Sequence, residues 1–491
     1  MNTNSDQSQT IIARPPVVAL MGHIDHGKTS ILDRIRQSRL QSQEAGGITQ
    51  HTAAYQVMVG KQKITFIDTP GHKAFEEMRV RGSRVTDLVV LVIAVNEGIK
   101  PQTRECLKHI QSAKVPFLIA LNKIDLPNID QEKIKSKLTQ FGVVTEDRGG
   151  EIVLVPVSAK TGQGIDELLE MIILVAQMNN LKALPKAPFK GVVIESCFDY
   201  QQGALVTVIV KQGKLAVGQK IASQGERIKV RALFDDFGQK IDQADISQPV
   251  SILGFVNPLL AGSLVYDSTL DIKQPKDQIA NQPSENDQEG LLKLVVKADT
   301  QGTLEALINS LPKKDLAIVR SGVGGINDSD VFFASSTGAE IIGFNVRILR
   351  SVNDLAKSEG VNVQIEKIIY ELLQSIETKI KGLKVIEEEA KILGEAQIIA
   401  DFKVPDGRVA GAQVTLGVIK NKAEVLVVSS VKPEKEKKTK IASLKQGQKT
   451  INEAGKGQEF GAIFSPAVDF SIGDMIKYRK RREDIVHQIN E

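Results

Sequence analysis

Gly22-His23-Ile24-Asp25-His26-Gly27-Lys28-Thr29 decides how the first third of this chain is read. The eight residues satisfy G-x-x-x-x-G-K-[ST], the pattern of a loop that cradles phosphates. Before it stands Pro16-Val17-Val18-Ala19-Leu20-Met21, an apolar run suited to a buried parallel strand. After it, Ser30-Ile31-Leu32-Asp33-Arg34-Ile35 places apolar residues at helical spacing. Gly22 and Gly27 let backbone N–H groups curl around phosphate oxygens. Lys28 is then expected to bridge the β- and γ-phosphates and Thr29 to hold Mg²⁺, with the helix N-terminus favouring the negative charge.

Three further segments narrow the ligand. Asp68-Thr69-Pro70-Gly71 ends an apolar run, where an acidic residue can hold Mg²⁺ through water and a glycine N–H can reach the γ-phosphate. Asn122-Lys123-Ile124-Asp125 closes the run Phe117–Leu121. Asp125 can accept hydrogen bonds from the N1–H and 2-amino group of guanine, donors that adenine lacks. A site built to pair those donors discriminates strongly, because its acceptor is otherwise left unpaired. Ser158-Ala159-Lys160 follows Ile152–Val157 and can back the base. Four such segments in order, each at the C-terminal end of an expected strand, place GTP in the crevice at the strand ends.

The chain outside this site is longer than one core can serve. At 491 residues, with 42% hydrophobic and 25% charged residues, it has the composition of a soluble protein of several domains. The polar start is unlike a signal or transit peptide, and no apolar run approaches membrane-spanning length. Cys106 and Cys197 are the two cysteines, too few for a disulfide framework, so a reducing cytoplasm is the expected compartment. A net charge of +4 does not identify a nucleic-acid binder.

The expected order is a disordered leader over 1–14, a P-loop GTPase domain over 15–185 and a β-barrel over 186–269. A polar, flexible linker over 270–289, an α/β domain over 290–364, a connecting helix over 365–390 and a C-terminal β-barrel over 391–491 complete it. The fold class is thus multidomain α/β plus β. Apolar residues at 365, 368, 369, 372, 373, 376 and 380 define the helix, with Gly382 its expected weak point.

The two histidines of the loop, Asp-Thr-Pro-Gly followed by His72, and Asn-Lys-Ile-Asp resemble the translational GTPases. Glu44-Ala45-Gly46-Gly47-Ile48-Thr49-Gln50-His51 resembles the first switch of bacterial-type translation initiation factor two. Val230-Arg231-Ala232-Leu233-Phe234-Asp235-Asp236 is similar to that family's second domain, and Ser321-Gly322-Val323-Gly324-Gly325-Ile326 to its third. The resemblance implies GTP-dependent recruitment of formyl-methionyl initiator tRNA to the small ribosomal subunit, then joining of the large subunit. Its implied partners are both subunits, initiator tRNA and other initiation factors, with no membrane and a monomeric state. It implies that Thr49 reaches Mg²⁺ and the γ-phosphate only with GTP, that Gly71 senses the same phosphate, and that His72 orients the attacking water. Loss of the phosphate would release both switches.

Two rival readings stay open: the archaeal and eukaryotic subunit-joining relative, and an RNA-binding module that uses GTP as a structural ligand. Arg79 and Arg81 read equally as ribosome contacts or as solvated helix face, Lys432–Lys438 reads as a solvated hairpin tip, and Lys477–Arg482 reads equally as a phosphate-neutralising run or a solubilising segment. In the terminal barrel the family's two cysteines are replaced within Gly411-Ala412 and Glu459-Phe460-Gly461, and Gln446-Gly447 stands where a basic-aromatic pair is expected. Weaker selection of the formyl group is therefore expected, through a pocket wall altered at Ala412, Gly447 and Phe460.

Overall fold

The computed structural model describes residues 11–36, 49–70, 75, 85–127, 129–199, 201–270, 272, 292–312, 315–390, 392–404, 407–430, 436–447 and 449–479. It divides into two compact units, Met1–Ser375 and Ile376–Glu491.

The strand Val17–Gly22 runs up the middle of a six-stranded sheet ordered Ala53–Val59, Gln62–Asp68, Val17–Gly22, Leu88–Ala94, Phe117–Asn122, Leu154–Pro156. All neighbours are parallel except the first pair. Both faces are covered, which is why Leu88–Ala94 is apolar at every position and buried throughout. Val18, Leu20, Val90 and Val92 pack with Ile31 and Leu32 of helix Lys28–Arg36 and with Leu168 and Ile172 of helix Ile165–Met178. Ala19, Met21, Val89 and Leu91 face the other way, against Cys106 and Ile110 of helix Pro101–Ala113 and Ile134 and Leu138 of helix Gln131–Gln140.

The expected leader is ordered at its end. Ile12–Ala13 pairs antiparallel with Lys182–Ala183, and Arg14 makes a 2.6 Å ion pair with Asp87. Those contacts lie more than seventy residues away in the chain, so no local pattern announces them. Residues 1–10 lie outside the described residues, as do most of the expected linker and the basic run beyond Arg479.

Next comes an antiparallel β-barrel segment whose longest strands are Lys190–Asp199 and Gly203–Gln212, filled by Phe189, Val206, Val208, Leu233 and Ile252. It rests on the first sheet through Ile194 and Ile209 packed on Val17, Ile67 and Val85. Thr65 Oγ1 donates to the Ser247 carbonyl at 2.5 Å across the same contact.

A second parallel sheet follows, ordered Leu316–Val323, Leu292–Ala298, Glu340–Phe344, Val363–Glu366. Its helices Gln301–Ser310 and Asp328–Thr337 are capped by Thr300 and Asn327, each accepting from the amide three residues on. The helix expected from residue 365 begins instead at Ile369 and runs to Ala390. Val363–Glu366 is drawn into the sheet because Glu340–Phe344 offers an unpaired edge. Helical spacing at Ile365 was thus overridden by pairing, and Ile368 lies in the bend before the helix. The helix passes through Gly382 without a break.

The second unit closes on itself. Strands Ile392–Val404, Met475–Arg479, Glu424–Val428, Glu436–Gln446, Glu459–Ser465 and Gly407–Lys420 form six neighbours, and the last pairs back to the first. Closure removes the free strand edges. Ala412 and Phe460 are cross-strand partners, 0% and 3% exposed, and both belong to the barrel core. The two positions expected to alter a pocket wall thus lie in the barrel core. Strand alternation sends Ala412 and Phe460 inward and their neighbours Gly411 and Gly461 to the opposite face. Gly447 sits at the turn after Glu436–Gln446 with φ 59°. Among the described residues no helix is long and apolar enough to cross a membrane.

Candidate functional site

The site begins where the central strand ends. Gly22 stands beside Val92 in the parallel register, and a Cβ there would come within 2.4 Å of the Val92 carbonyl oxygen. Gly27 takes φ 84°, and a Cβ on it would lie 2.3 Å from Asn122 Nδ2. Gly22 is therefore required by the close approach of the neighbouring strand, and Gly27 by its left-handed backbone against the Asn122 side chain, before any phosphate is considered. Between them Asp25 adopts φ 60°. Lys28 Nζ donates to the carbonyls of Gly22 at 3.1 Å and His23 at 2.8 Å, so the ammonium lies folded over the loop.

The two loop histidines play structural parts. His23 Nδ1 meets Gln102 Oε1, which also accepts from the Ile24 amide at 3.2 Å. His26 is fully buried, its ring 5.1 Å from that of His23 and its Nδ1 3.2 Å from the Val92 carbonyl. Burial drives the His26 pKa down from 6.5 to about 4, against the pull of the Val92 carbonyl, so the ring is neutral at pH 7.

Hydroxyls and a carboxylate converge beside the loop. Thr29 Oγ1 lies 2.5 Å from Thr49 Oγ1 and donates to Asp68 Oδ2 at 3.3 Å. All three are hard oxygen donors, the chemistry that suits Mg²⁺. Thr69 turns away: its Oγ1 donates to the Leu20 carbonyl at 2.9 Å and ties the turn back to the central strand. Pro70 is buried at the end of this segment, and Gly71 and His72 lie outside the described residues.

On the far side, Asn122 joins two loops. Its Nδ2 donates to the His26 carbonyl at 2.9 Å, and its Oδ1 accepts from the Ala159 amide at 3.1 Å. The Ile124 amide donates to the Val157 carbonyl at 3.3 Å, and Lys123 Nζ approaches Glu97 Oε1 at 3.5 Å. Ser158, fully buried, donates from Oγ to Asp125 Oδ1 at 2.7 Å and accepts from the Thr161 amide. That Ser158 hydroxyl holds the Asp125 carboxyl below its usual range, with Lys160 and Lys123 adding to the effect. Asp125 is exposed and ionised, an open acceptor. Lys160 is exposed beside it.

Contacts beyond Thr49 escaped the motif reading. Gln50 is 4% exposed; its Nε2 donates to the Lys367 carbonyl at 2.9 Å and its Oε1 accepts from the Ile369 amide at 3.2 Å. His51 Nε2 stands 2.7 Å from Asp299 Oδ2, and Thr303 Oγ1 donates to the other oxygen of that carboxylate. A polar Gln-His pair carries no sign of partners some 250 to 320 residues away.

Comparison with known proteins agrees with this geometry. Residues 14–178 match the family model for the elongation factor Tu GTP binding domain, 188–268 that for elongation factor G domain 2, and 270–377 that for translation-initiation factor 2. Translation initiation factor IF-2 of Syntrophomonas wolfei is 42% identical over 96% of this chain and 56% of its own length. The factor of Moorella thermoacetica is 39% identical over 96% and 55%. The chain thus spans little more than half the length of those two relatives. The factor of Rubrobacter xylanophilus is 40% identical over 96% of this chain and 72% of its own. With a GTP-binding domain, a barrel and a factor-2 segment in that order, this chain belongs to the translation initiation factor IF-2 family of translational GTPases.

Proposed function

We propose that this chain is a ribosome-stimulated GTPase of translation initiation. It delivers formyl-methionyl initiator tRNA to the small ribosomal subunit, promotes joining of the large subunit, and converts GTP to GDP and phosphate on the ribosome. It works as a monomer in the cytoplasm beside other initiation factors. The convergence of Thr29, Thr49 and Asp68 next to the Gly22–Thr29 loop carries this reading.

Gly22–Thr29 wraps the phosphates, and Lys28 leaves its loop carbonyls to meet the β- and γ-oxygens. Thr29, Thr49 and Asp68 would hold Mg²⁺, which when bound would supply charge neutralisation at the phosphate oxygens. Asp125 reads guanine, while Asn122, Lys123, Ile124, Ser158, Ala159 and Lys160 shape the base pocket. Gly71 senses the γ-phosphate and His72 orients the attacking water. Thr49 adjoins Gln50, which grips the start of helix Ile369–Ala390. The helix therefore serves as the connecting arm between 290–364 and the tRNA-binding barrel, 391–491. Since Ala412 and Phe460 pack in that barrel's core, their effect on formyl selectivity acts through its packing.

The test pairs two assays on the full chain. GTP turnover should rise on adding ribosomal subunits, and initiator tRNA should bind with only a modest preference for its formylated form. Turnover indifferent to ribosomes overturns the GTPase role. A hundredfold or greater formyl preference overturns the weakened-selectivity reading alone.

A further inference from the structure

Helix Lys28–Arg36 has the phosphate loop at one end and Arg36 at the other. Arg36 Nη2 donates to the Asp236 carbonyl at 3.1 Å and lies 3.8 Å from Asp236 Oδ2. Its Cζ lies over two rings, 5.0 Å from the centroid of Tyr55 and 4.7 Å from that of Phe237, within cation–π range of both. Asp236 Oδ2 also accepts from the Gln56 amide at 3.2 Å. Asp236 and Phe237 belong to the β-barrel, at the turn after strand Ala232–Phe234. Tyr55 and Gln56 belong to the edge strand Ala53–Val59 of the nucleotide sheet.

The barrel turn therefore grips two elements at once: the end of the phosphate-loop helix and the start of the edge strand. Those two elements bound residues 37–52, the segment that carries Thr49. The turn is built to hold its shape alone. Asp235 Oδ1 accepts from the amides of Phe237 at 2.9 Å and Gln239 at 2.8 Å, and the Asp235 amide donates to the Gln239 carbonyl. Nothing in the barrel's own folding calls for Phe237, which is 66% exposed, or for Asp236 at 9% side-chain exposure. Burial pushes the Asp236 carboxyl upward despite the Gln56 amide and the Arg36 charge, as expected of a carboxylate sunk into a contact between domains.

We infer that Arg36 and Phe237 are positioning residues through which the barrel sets how well Thr49 meets a nucleoside triphosphate, Arg36 being held by the main-chain carbonyl of Asp236. The inference rests on the GTP reading of Gly22–Thr29. A diphosphate makes no demand on Thr49, so its binding is insensitive to the clamp. Lysine at position 36 would keep the charge but lose the planar fork and the stacking. Leucine at 237 would keep apolar cover and lose the ring face. Asparagine at 236 would keep both acceptor oxygens' geometry through its own Oδ1 and carbonyl.

The experiment measures dissociation constants of the full chain for GDP and for a non-hydrolysable GTP analogue. Arg36→Ala should weaken the analogue about tenfold, Arg36→Lys about fivefold and Phe237→Leu about threefold, in line with the loss of a stacked cation. Asp236→Asn should stay near wild type, and GDP binding should stay within about twofold in all four, the clamp lying at the far end of the helix from the phosphate loop. Equal weakening of both nucleotides would reduce the contact to general support of the fold and overturn the inference, as would an unchanged analogue affinity in Arg36→Ala. Should Arg36→Ala fail to fold, Phe237→Leu at its exposed position decides the matter by the same ratio. Failure of the GTP reading looks different: wild type would then bind ATP as well as GTP, before any variant is made.

Discussion

The base side and the phosphate side of the nucleotide site are built from different parts of the chain. On the base side the hydrogen-bond partners lie between His26 and Gln163: Asn122 spans the loops of His26 and Ala159, and Ser158 orients Asp125. On the phosphate side Thr29, Thr49 and Asp68 meet, but the residues after Thr49 are tied to Asp299, Lys367 and Ile369. The residues proposed to read guanine are therefore held in place within one sheet. The residues next to Thr49, the proposed γ-phosphate side, are instead held by the second sheet and the helix that follows it.

The largest effect should fall on the phosphate side. His72→Ala is expected to lower ribosome-stimulated turnover by about 10² or more while GTP affinity stays within roughly threefold, as for loss of a water-orienting group. Unchanged stimulated turnover would remove His72 from the chemistry. On the base side, Asp125→Asn should cost at least about 2 kcal/mol of GTP affinity, since it deletes a charge-assisted acceptor, and should improve binding of xanthosine triphosphate. Equal competition by ATP and GTP in the wild type would break the base-side assignment altogether.

A third effect concerns the junction that couples the phosphate side to its neighbours. Glu195, on the barrel strand Lys190–Asp199, accepts from the Gly302 amide at 3.1 Å and the Ser196 amide at 3.0 Å. Its Oε2 is buried without a hydrogen-bond partner among the described residues. Burial raises its pKa to about 7 from 4.5, against those two amides. The folded chain thus holds this proton more tightly than the unfolded chain, so the contribution to stability falls as pH rises from 4.5 through 7. Glu195→Gln should raise stability by on the order of 2 kcal/mol at pH 8 and leave it unchanged below pH 4.5, read from urea midpoints. A gain independent of pH would show that the carboxyl is not the cause.

The smallest effect sharpens the contrast itself. Gln50→Ala removes two hydrogen bonds to the start of helix Ile369–Ala390 and should cost about 1 kcal/mol in triphosphate affinity. GDP and guanine selectivity should not move, and the Ile369 amide should exchange faster. Unaltered protection of that amide would mean the phosphate side is as self-contained as the base side.

Local order was enough for much of this. The Gly22–Thr29 loop and the strand ends at Asp68, Asn122 and Ser158 follow from residue type and spacing, because each depends on neighbours within a few positions. Sequence alone did not separate the roles inside the motifs. Thr69 and His26 are turned into the fold, and Asn122 ties loops together.

What the sequence by itself determined is the nucleotide class, the strand-loop-helix setting of the phosphates, and the succession of α/β and β segments. Those are properties of short windows, in which periodicity and glycine placement act directly on backbone geometry. Only the tertiary structure decided that Val363–Glu366 joins a sheet, that Ala412 and Phe460 face inward, and that Gln50, His51 and Arg36 reach other segments. Edge pairing, barrel closure and contacts across hundreds of residues depend on which surfaces meet after the chain collapses, and no local pattern of polar residues encodes a distant partner.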